Sequence, residues 1–405
     1  MHHHATMRRQ LVLRLALALL LQAWAALTGT ARATPYLPAH GDDVIEVLPR
    51  RADATQTELR RLRLALNARP RDVALATALA QRYIAVGRDA ADPRYLGYAQ
   101  AALAPWWREA VAPPAVLLLR ATLLQSGHHF PAALADLERL LAAEPANAQA
   151  WLTRATVQTV RGDYAGATAS CARLSALANE LATAACIASV GALTGRAQPS
   201  EQLLALTLQR GASAPPDQRL WAQTLLAELA AQRGDVAMAD ARYRDALALN
   251  PHDAYLLGAY ADFLLDQGRP ADVLALLKEY TRVDALLLRR ALALRQMPGA
   301  AAALATDVAA LAARFSAATE RGDTVHQREQ ARFALYLQRD TASALALARQ
   351  NWDVQKEAAD MRIYLEAAAQ AHDAAAARPV LDWIARHRTE GATLRALVHQ
   401  LNPGA

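Results

Sequence analysis

The sequence predicts an all-α fold: a right-handed superhelical solenoid of stacked helix-turn-helix units. Three observations carry that reading. Between Leu220 and Tyr280 a pattern recurs with a period of 34 residues: Gly234-Asp235 is followed by Ala239, Tyr243, Ala246 and Pro251, and the next turn glycine is Gly268. A period of this size belongs to solenoids, whose units cannot bury their apolar faces alone and stack on their neighbours. Ala and Leu dominate and only four Phe are present, which suits closely packed helices of small residues and argues against a sheet. From Ala52 onward the apolar residues recur at helical spacing. At 405 residues the chain exceeds one ordinary core, a limit that a repeat array escapes because each unit packs only on the next.

Residues 1–33 read as a signal peptide. Arg8, Arg9 and Arg14 precede an apolar run from Leu15 to Leu27, and Ala31-Arg32-Ala33 offers small residues at the spacing that signal peptidase needs, so the expected mature chain begins at Thr34. A membrane anchor is the competing reading, but 13 residues interrupted by Gln22 fall short of the roughly 20 that span a bilayer. His2 to His4 bear on neither reading. The segment holds four arginines and no acid, so its removal takes the formal charge from +6 to +2. A near-neutral exported protein lacks the basic footprint that phosphate polymers demand, which argues against nucleic acid as a partner. Seven arginines between Arg50 and Arg71 form a local exception; they read either as a solvated helix face or as a peripheral contact with anionic lipid or cell-wall polymer.

Residues 34–51 hold Pro35, Pro38, Gly41 and Pro49 around Val44 to Leu48 and read as an extended arm. The array is expected over 52–390. Leu59, Leu62, Ala65 and Leu66 form the first apolar stripe, and Pro70 opens the next helix, with Ala76, Leu79, Ala80, Tyr83 and Ile84 on its inner face and Gly87 as its end. Later hairpins are expected to turn at Gly127, at Gly162-Asp163-Tyr164, at Gly195, at Gly234, at Gly268, near Pro298-Gly299, and near Asp340 and Asp373. The helix from Ala300 to Glu320 is unusually long, and residues 391–405 read as a closing helix and tail.

Trp151, Ala155, Gly162-Asp163-Tyr164 and Ala167, with Ala227, Gly234-Asp235, Ala239, Tyr243, Ala246 and Pro251, resemble the tetratricopeptide repeat (TPR) family. The match is specific in two units and degenerate in about seven. The resemblance implies small residues at close helix crossings, an aromatic in the gap between repeats, and a concave face used for binding. The stretch Ala344 to Ala348 through Asn351-Trp352, with Leu381-Asp382-Trp383-Ile384, is similar to exported bacterial repeat proteins of unassigned role.

No phosphate loop, dinucleotide glycine fingerprint, paired-histidine zinc helix or nucleophile-elbow serine is present, so no cofactor and no catalytic residue is assigned. His128-His129, and His40 with Asp42 and Asp43, lack the three or four converging ligands of a metal site, and no metal is assigned. Export would place Cys171 and Cys186 in an oxidising compartment. They flank a turn at Asn179 at nearly equal height, so they either form a disulfide or serve as two small buried apolar residues.

The functional surface is expected on the concave face formed by the first helix of each hairpin. Helical spacing places Trp221, Glu228, Tyr255, Asp262, Asp266, Phe333 and Tyr336 there, aromatics and acids suited to an extended or basic peptide. Family members that grip acidic peptide carboxyl termini use Lys, Asn and Arg on this face. Here the two lysines, Lys278 and Lys356, lie elsewhere, against such a role. The sequence therefore points to a periplasmic or secreted noncatalytic scaffold that holds a protein or peptide partner in the cell envelope. A polysaccharide-handling or envelope-biogenesis module is the alternative. An enzyme subunit with an unrecognised site ranks below both, and the oligomeric state is unassigned.

Overall fold

The computed structural model describes His40 and residues 53–402. The expected signal peptide, the rest of the arm and the last three residues lie outside the described residues. The chain divides into two units, Met1–Asp53 and Ala54–Ala405, and every helix below belongs to the second. Among the described residues there is no strand.

The helices follow one another as antiparallel hairpins. In chain order they are α1 (Ala54–Ala68), α2 (Val73–Asp89), α3 (Arg94–Ala102), α4 (Pro114–Ser126), α5 (Phe130–Ala143), α6 (Ala148–Arg161), α7 (Tyr164–Leu174), α8 (Glu180–Gly191), α9 (Ala197–Arg210) and α10 (Pro216–Arg233). There follow α11 (Val236–Leu249), α12 (Ala254–Asp266), α13 (Pro270–Leu276), α14 (Asp284–Arg295), α15 (Ala301–Glu320), α16 (Gln327–Phe333), α17 (Thr341–Val354), α18 (Ala358–Gln370), α19 (Ala374–His387) and α20 (Ala392–Leu401). The starts are written in the sequence. The side chains of Asp72, Asn147, Asp163, Asn179, Asp235, Asp253, Asp340 and Asp373 each accept the backbone N–H three residues on. Each such cap contributes about 1 kcal/mol. Gly162 and Gly234 end their helices in the left-handed conformation.

Alanines let the helices of a hairpin approach. Ala155 and Ala167 are buried at one crossing, and Ala227 and Ala239 at another. Tyr243 fills the gap to the next repeat, its ring stacked on Tyr260 with centroids 5.0 Å apart. The TPR-like pattern thus marks the contacts that hold neighbouring hairpins together. Near the amino end, Arg120 on α4 donates to both carboxylate oxygens of Asp136 on α5 at 2.6 and 2.7 Å. Its remaining nitrogen donates to the carbonyls of Trp106, Trp107 and Glu109, pinning that loop to the hairpin.

One sequence expectation changes. Gly87 does not end its helix, because α2 runs on to Asp89. Its role is close packing: a Cβ there would lie 2.9 Å from the Tyr95 Cβ. The long helix α15 is apolar enough to cross a membrane by length and composition. It packs on α14 through Leu311 and Phe315, and it carries Asp307, which accepts from Arg290 at 2.7 Å.

The array does not stay open. Its last repeats fold back onto the turns of its middle ones. The backbone N–H of Lys356 donates to the Val160 carbonyl at 2.8 Å. Trp383 donates from Nε1 to the Tyr164 hydroxyl at 3.3 Å, and that hydroxyl donates to the Lys356 carbonyl at 3.3 Å. The Thr389 hydroxyl donates to the Leu193 carbonyl at 2.9 Å, and Gln232 donates to the Glu390 carbonyl at 2.7 Å. The Lys356 ammonium sits 4.6 Å from the ring centroid of Trp352 and 5.6 Å from that of Trp383, and it donates to the Trp352 carbonyl. Three successive turns, around Gly162, Gly195 and Gly234, therefore meet the segment from Lys356 to Ala392.

Candidate partner-binding face

The closure decides what the concave face can offer. Asp262, on α12, is 27 % exposed and already engaged. It accepts from Arg289 Nη2 at 2.6 Å and from Arg332 Nη2 at 2.8 Å. Burial alone would raise the Asp262 carboxyl, but the two guanidinium groups hold it well below the usual carboxylate range. Asp266, one turn on, accepts a bidentate pair from Arg362 of α18, both distances 2.7 Å. Both acids thus join the middle repeats to later ones, α16 and α18, and are not free to meet a basic partner.

The aromatics separate in the same way. Phe333 is 4 % exposed, with its ring edge-on to Phe315 at 5.4 Å, so the expectation that it anchors a partner is corrected. Just beyond it a π-helical turn, Ala334–Gln338, continues α16. Tyr336, within that turn, is half-buried. The Arg295 guanidinium lies over its ring at 5.2 Å, and burial followed by the Glu366 carboxylate pushes its phenol well up. Trp221 is half-buried and packs against two neighbouring apolar clusters, around Leu181 and around Cys171.

Tyr255 differs from all of these. It stands at the start of α12, positioned by the Asp253 cap, and its side chain is 67 % exposed. Its hydroxyl donates to Glu228 Oε1 at 2.7 Å. Burial pushes the Glu228 carboxyl up to about 7; the Tyr255 hydrogen bond opposes this and the Glu357 charge adds to it. The Tyr255 phenol is raised well above its ordinary value, chiefly by the Glu228 charge and then by burial.

Cys171 on α7 and Cys186 on α8 are joined as a disulfide, with Cα atoms 5.6 Å apart. Among the described residues no three His, Cys, Asp or Glu side chains are grouped as metal ligands. His128 is half-buried and stacked on Phe130 at 5.3 Å, and its pKa is lowered by burial and then by the Arg328 charge. His129 is an exposed helix cap. Asp42 and Asp43 lie outside the described residues. Sequence reasoning missed Arg289, Arg332 and Arg362, the cations that occupy the nominated acids. It also missed Lys356, one of only two lysines and flanked by tryptophans, as a structural clasp. The rarity of lysine was the one available signal.

These features define a TPR-like α-solenoid whose last repeats contact its middle ones, with an exposed tyrosine, Tyr255, hydrogen-bonded to Glu228. No protein-family model matches the chain, and no curated protein matches it. Among solved structures it is similar to a tetratricopeptide repeat protein from Parabacteroides merdae, at 16 % identity over 59 % of this chain and 92 % of that one, TM-score 0.46. It is also similar to human IFIT1, in a dimer with m7Gppp-AAAA, at 13 % identity over 82 % of this chain and 86 % of that one, TM-score 0.37. The P58(IPK) TPR domain matches at 13 % identity over 80 % of this chain and 97 % of that one, TM-score 0.23.

Proposed function

We propose that this protein is a noncatalytic scaffold that holds a protein or peptide partner in the cell envelope. It does so through the inner face at Tyr255 and Glu228. The observation that carries this reading is Tyr255 itself. A large ring is exposed to solvent at 67 % while a 2.7 Å hydrogen bond fixes its end, so little freedom is lost when a partner packs on it. Aromatic anchors of that kind carry a disproportionate share of interface energy. The polysaccharide reading needed a strip of accessible aromatics, and it loses support because Phe333 is buried and Trp221 and Tyr336 are packed.

Export supports the location. The charge, length and small-residue site of residues 1–33 suit a signal peptide cleaved near Ala33, and the Cys171–Cys186 disulfide suits an oxidising compartment. The protein then works as a periplasmic or secreted component, without cofactor, metal or nucleic acid. Amino-terminal sequencing of exported protein should read from Thr34, and an intact residue 1–33 segment on membrane-bound protein would refute this.

The functional test is quantitative capture from an envelope extract by wild type and by Tyr255→Ala. Wild type should retain a defined protein that Tyr255→Ala recovers at least about tenfold less well, corresponding to roughly 1.4 kcal/mol. Equal recovery by the two proteins, with unchanged helical content, would remove the inner face from the account.

A further inference from the structure

A second surface lies beside Trp151. The indole Nε1 donates to the Pro145 carbonyl at 2.8 Å, which fixes the ring. Two guanidinium groups approach that ring: the Arg154 Cζ lies 5.4 Å from its centroid and the Arg173 Cζ 5.3 Å. Among the described residues neither arginine forms an ion pair, whereas Arg120, Arg289, Arg328, Arg332 and Arg362 all do. Both guanidinium groups line one groove without a carboxylate partner, and a carboxylate bound there would pair with them. Attraction to the indole face also restrains the planar guanidinium groups, whose fork suits bidentate contact with a carboxylate.

A groove of about 280 Å³ opens at these three side chains, floored by Gly166, Ala169 and Ser170 of α7. A second, of about 370 Å³, shares Arg173 and continues past Pro145, Ala146 and Ala176. Together they follow α7 and the turn after it for on the order of 15 Å, the length of four or five extended residues. The polar floor is already satisfied. The Ser170 hydroxyl donates to Gln158 Oε1 at 2.7 Å, and Gln158 Nε2 donates to Asp163, whose other carboxylate oxygen caps α7. The two arginines supply the unmet polar recognition, and the floor between them is shaped for aliphatic side chains. The disulfide from Cys171 ties α7 to α8 and keeps the groove in place.

We propose that the Trp151, Arg154 and Arg173 groove is a docking site for an internal acidic segment of a partner protein, with carboxylates on the two arginines and aliphatic side chains on the α7 floor. The site is independent of Tyr255. Two cations on a chain of net charge +2 without its first 33 residues suit one or two carboxylates, and not a phosphate polymer.

The probe is an acetylated, amidated heptapeptide alternating leucine and glutamate, labelled with a neutral rhodamine and titrated by fluorescence anisotropy against the full chain. Blocking both ends excludes recognition of a terminal carboxylate. Wild type should bind saturably, and Arg154→Gln with Arg173→Gln should weaken binding at least tenfold while the circular dichroism spectrum is unchanged. Arg173→Lys should retain part of the affinity, Tyr255→Ala should retain all of it, and the lysine-for-glutamate peptide should not bind. Absence of saturable binding, equal binding by the double glutamine variant, or binding of the lysine peptide would overturn the proposal. Tighter arginine-dependent binding of a short oligonucleotide or of phosphatidylglycerol vesicles would overturn the choice of partner.

Discussion

The ring of Trp383 lies where any side chain at position 162 would have to go. A Cβ added to Gly162 would fall 2.4 Å from the Trp383 Cζ2, and Gly162 also has a φ of +80°, a conformation that L side chains rarely adopt. One glycine therefore ends α6 and seats the carboxyl-terminal repeats. Gly162→Ala should lose about 2–4 kcal/mol in chemical denaturation, from left-handed strain together with overpacking. Gly268→Ala is the control: φ is +65° but nothing lies within 4 Å, so only the strain remains, about 1 kcal/mol. Equal losses at the two sites would show that the Trp383 contact contributes nothing.

Asp262→Ala should destabilise the protein by about 2–4 kcal/mol, because Arg289 and Arg332, both largely buried, would lose the carboxylate they pair with. Urea unfolding measures this directly. A neutral effect on stability with a loss of partner capture would return Asp262 to the role that the sequence first suggested for it.

Glu228 gives a pH signature with a definite sign. Its folded pKa of about 7 lies above the ordinary glutamate value near 4.3, so the native state holds the proton more tightly than the unfolded chain does. The resulting stabilisation is complete below about pH 4.3 and is lost as pH rises through 7. Glu228→Gln should therefore gain about 1–2 kcal/mol relative to wild type between pH 5 and pH 8, after allowance for the water that reaches the site. A difference between the two proteins that does not change with pH would contradict the burial of this carboxyl.

Thiol counting on exported protein under denaturing, nonreducing conditions should find no free thiol. Cys171→Ser with Cys186→Ser should lose about 3 kcal/mol, as for a disulfide that closes a loop of about 15 residues. Two fully reactive thiols would remove the clip.

The hairpins were legible in the sequence because their determinants are local. Asp and Asn caps, turn glycines and alanines at crossings act within one unit, and Asp163, Gly162 and Ala167 are readable without knowing what lies elsewhere. The site was far less legible. Whether Asp262 is free depends on Arg332, 70 residues away, and whether Asp266 is free depends on Arg362, 96 residues away. No helical period carries that information. Phe333 was misplaced because its ring packs on Phe315 of α15, a contact between helices that spacing within α16 does not carry. The exposure of Tyr255 agrees with the helical spacing of its repeat, whereas Asp262, two turns further along the same helix, is engaged by distant arginines.

The closure of the array can be tested at a single amide. Lys356 precedes α18, and among the described residues its N–H has as partner only the Val160 carbonyl, 196 residues away at 2.8 Å. Amide hydrogen exchange resolved at Lys356 should show strong protection in the native protein and its loss in Trp383→Ala, while the amides within α6 stay protected. Fast exchange at Lys356 in the wild-type protein would mean that the carboxyl-terminal repeats do not sit on the α6 to α7 turn.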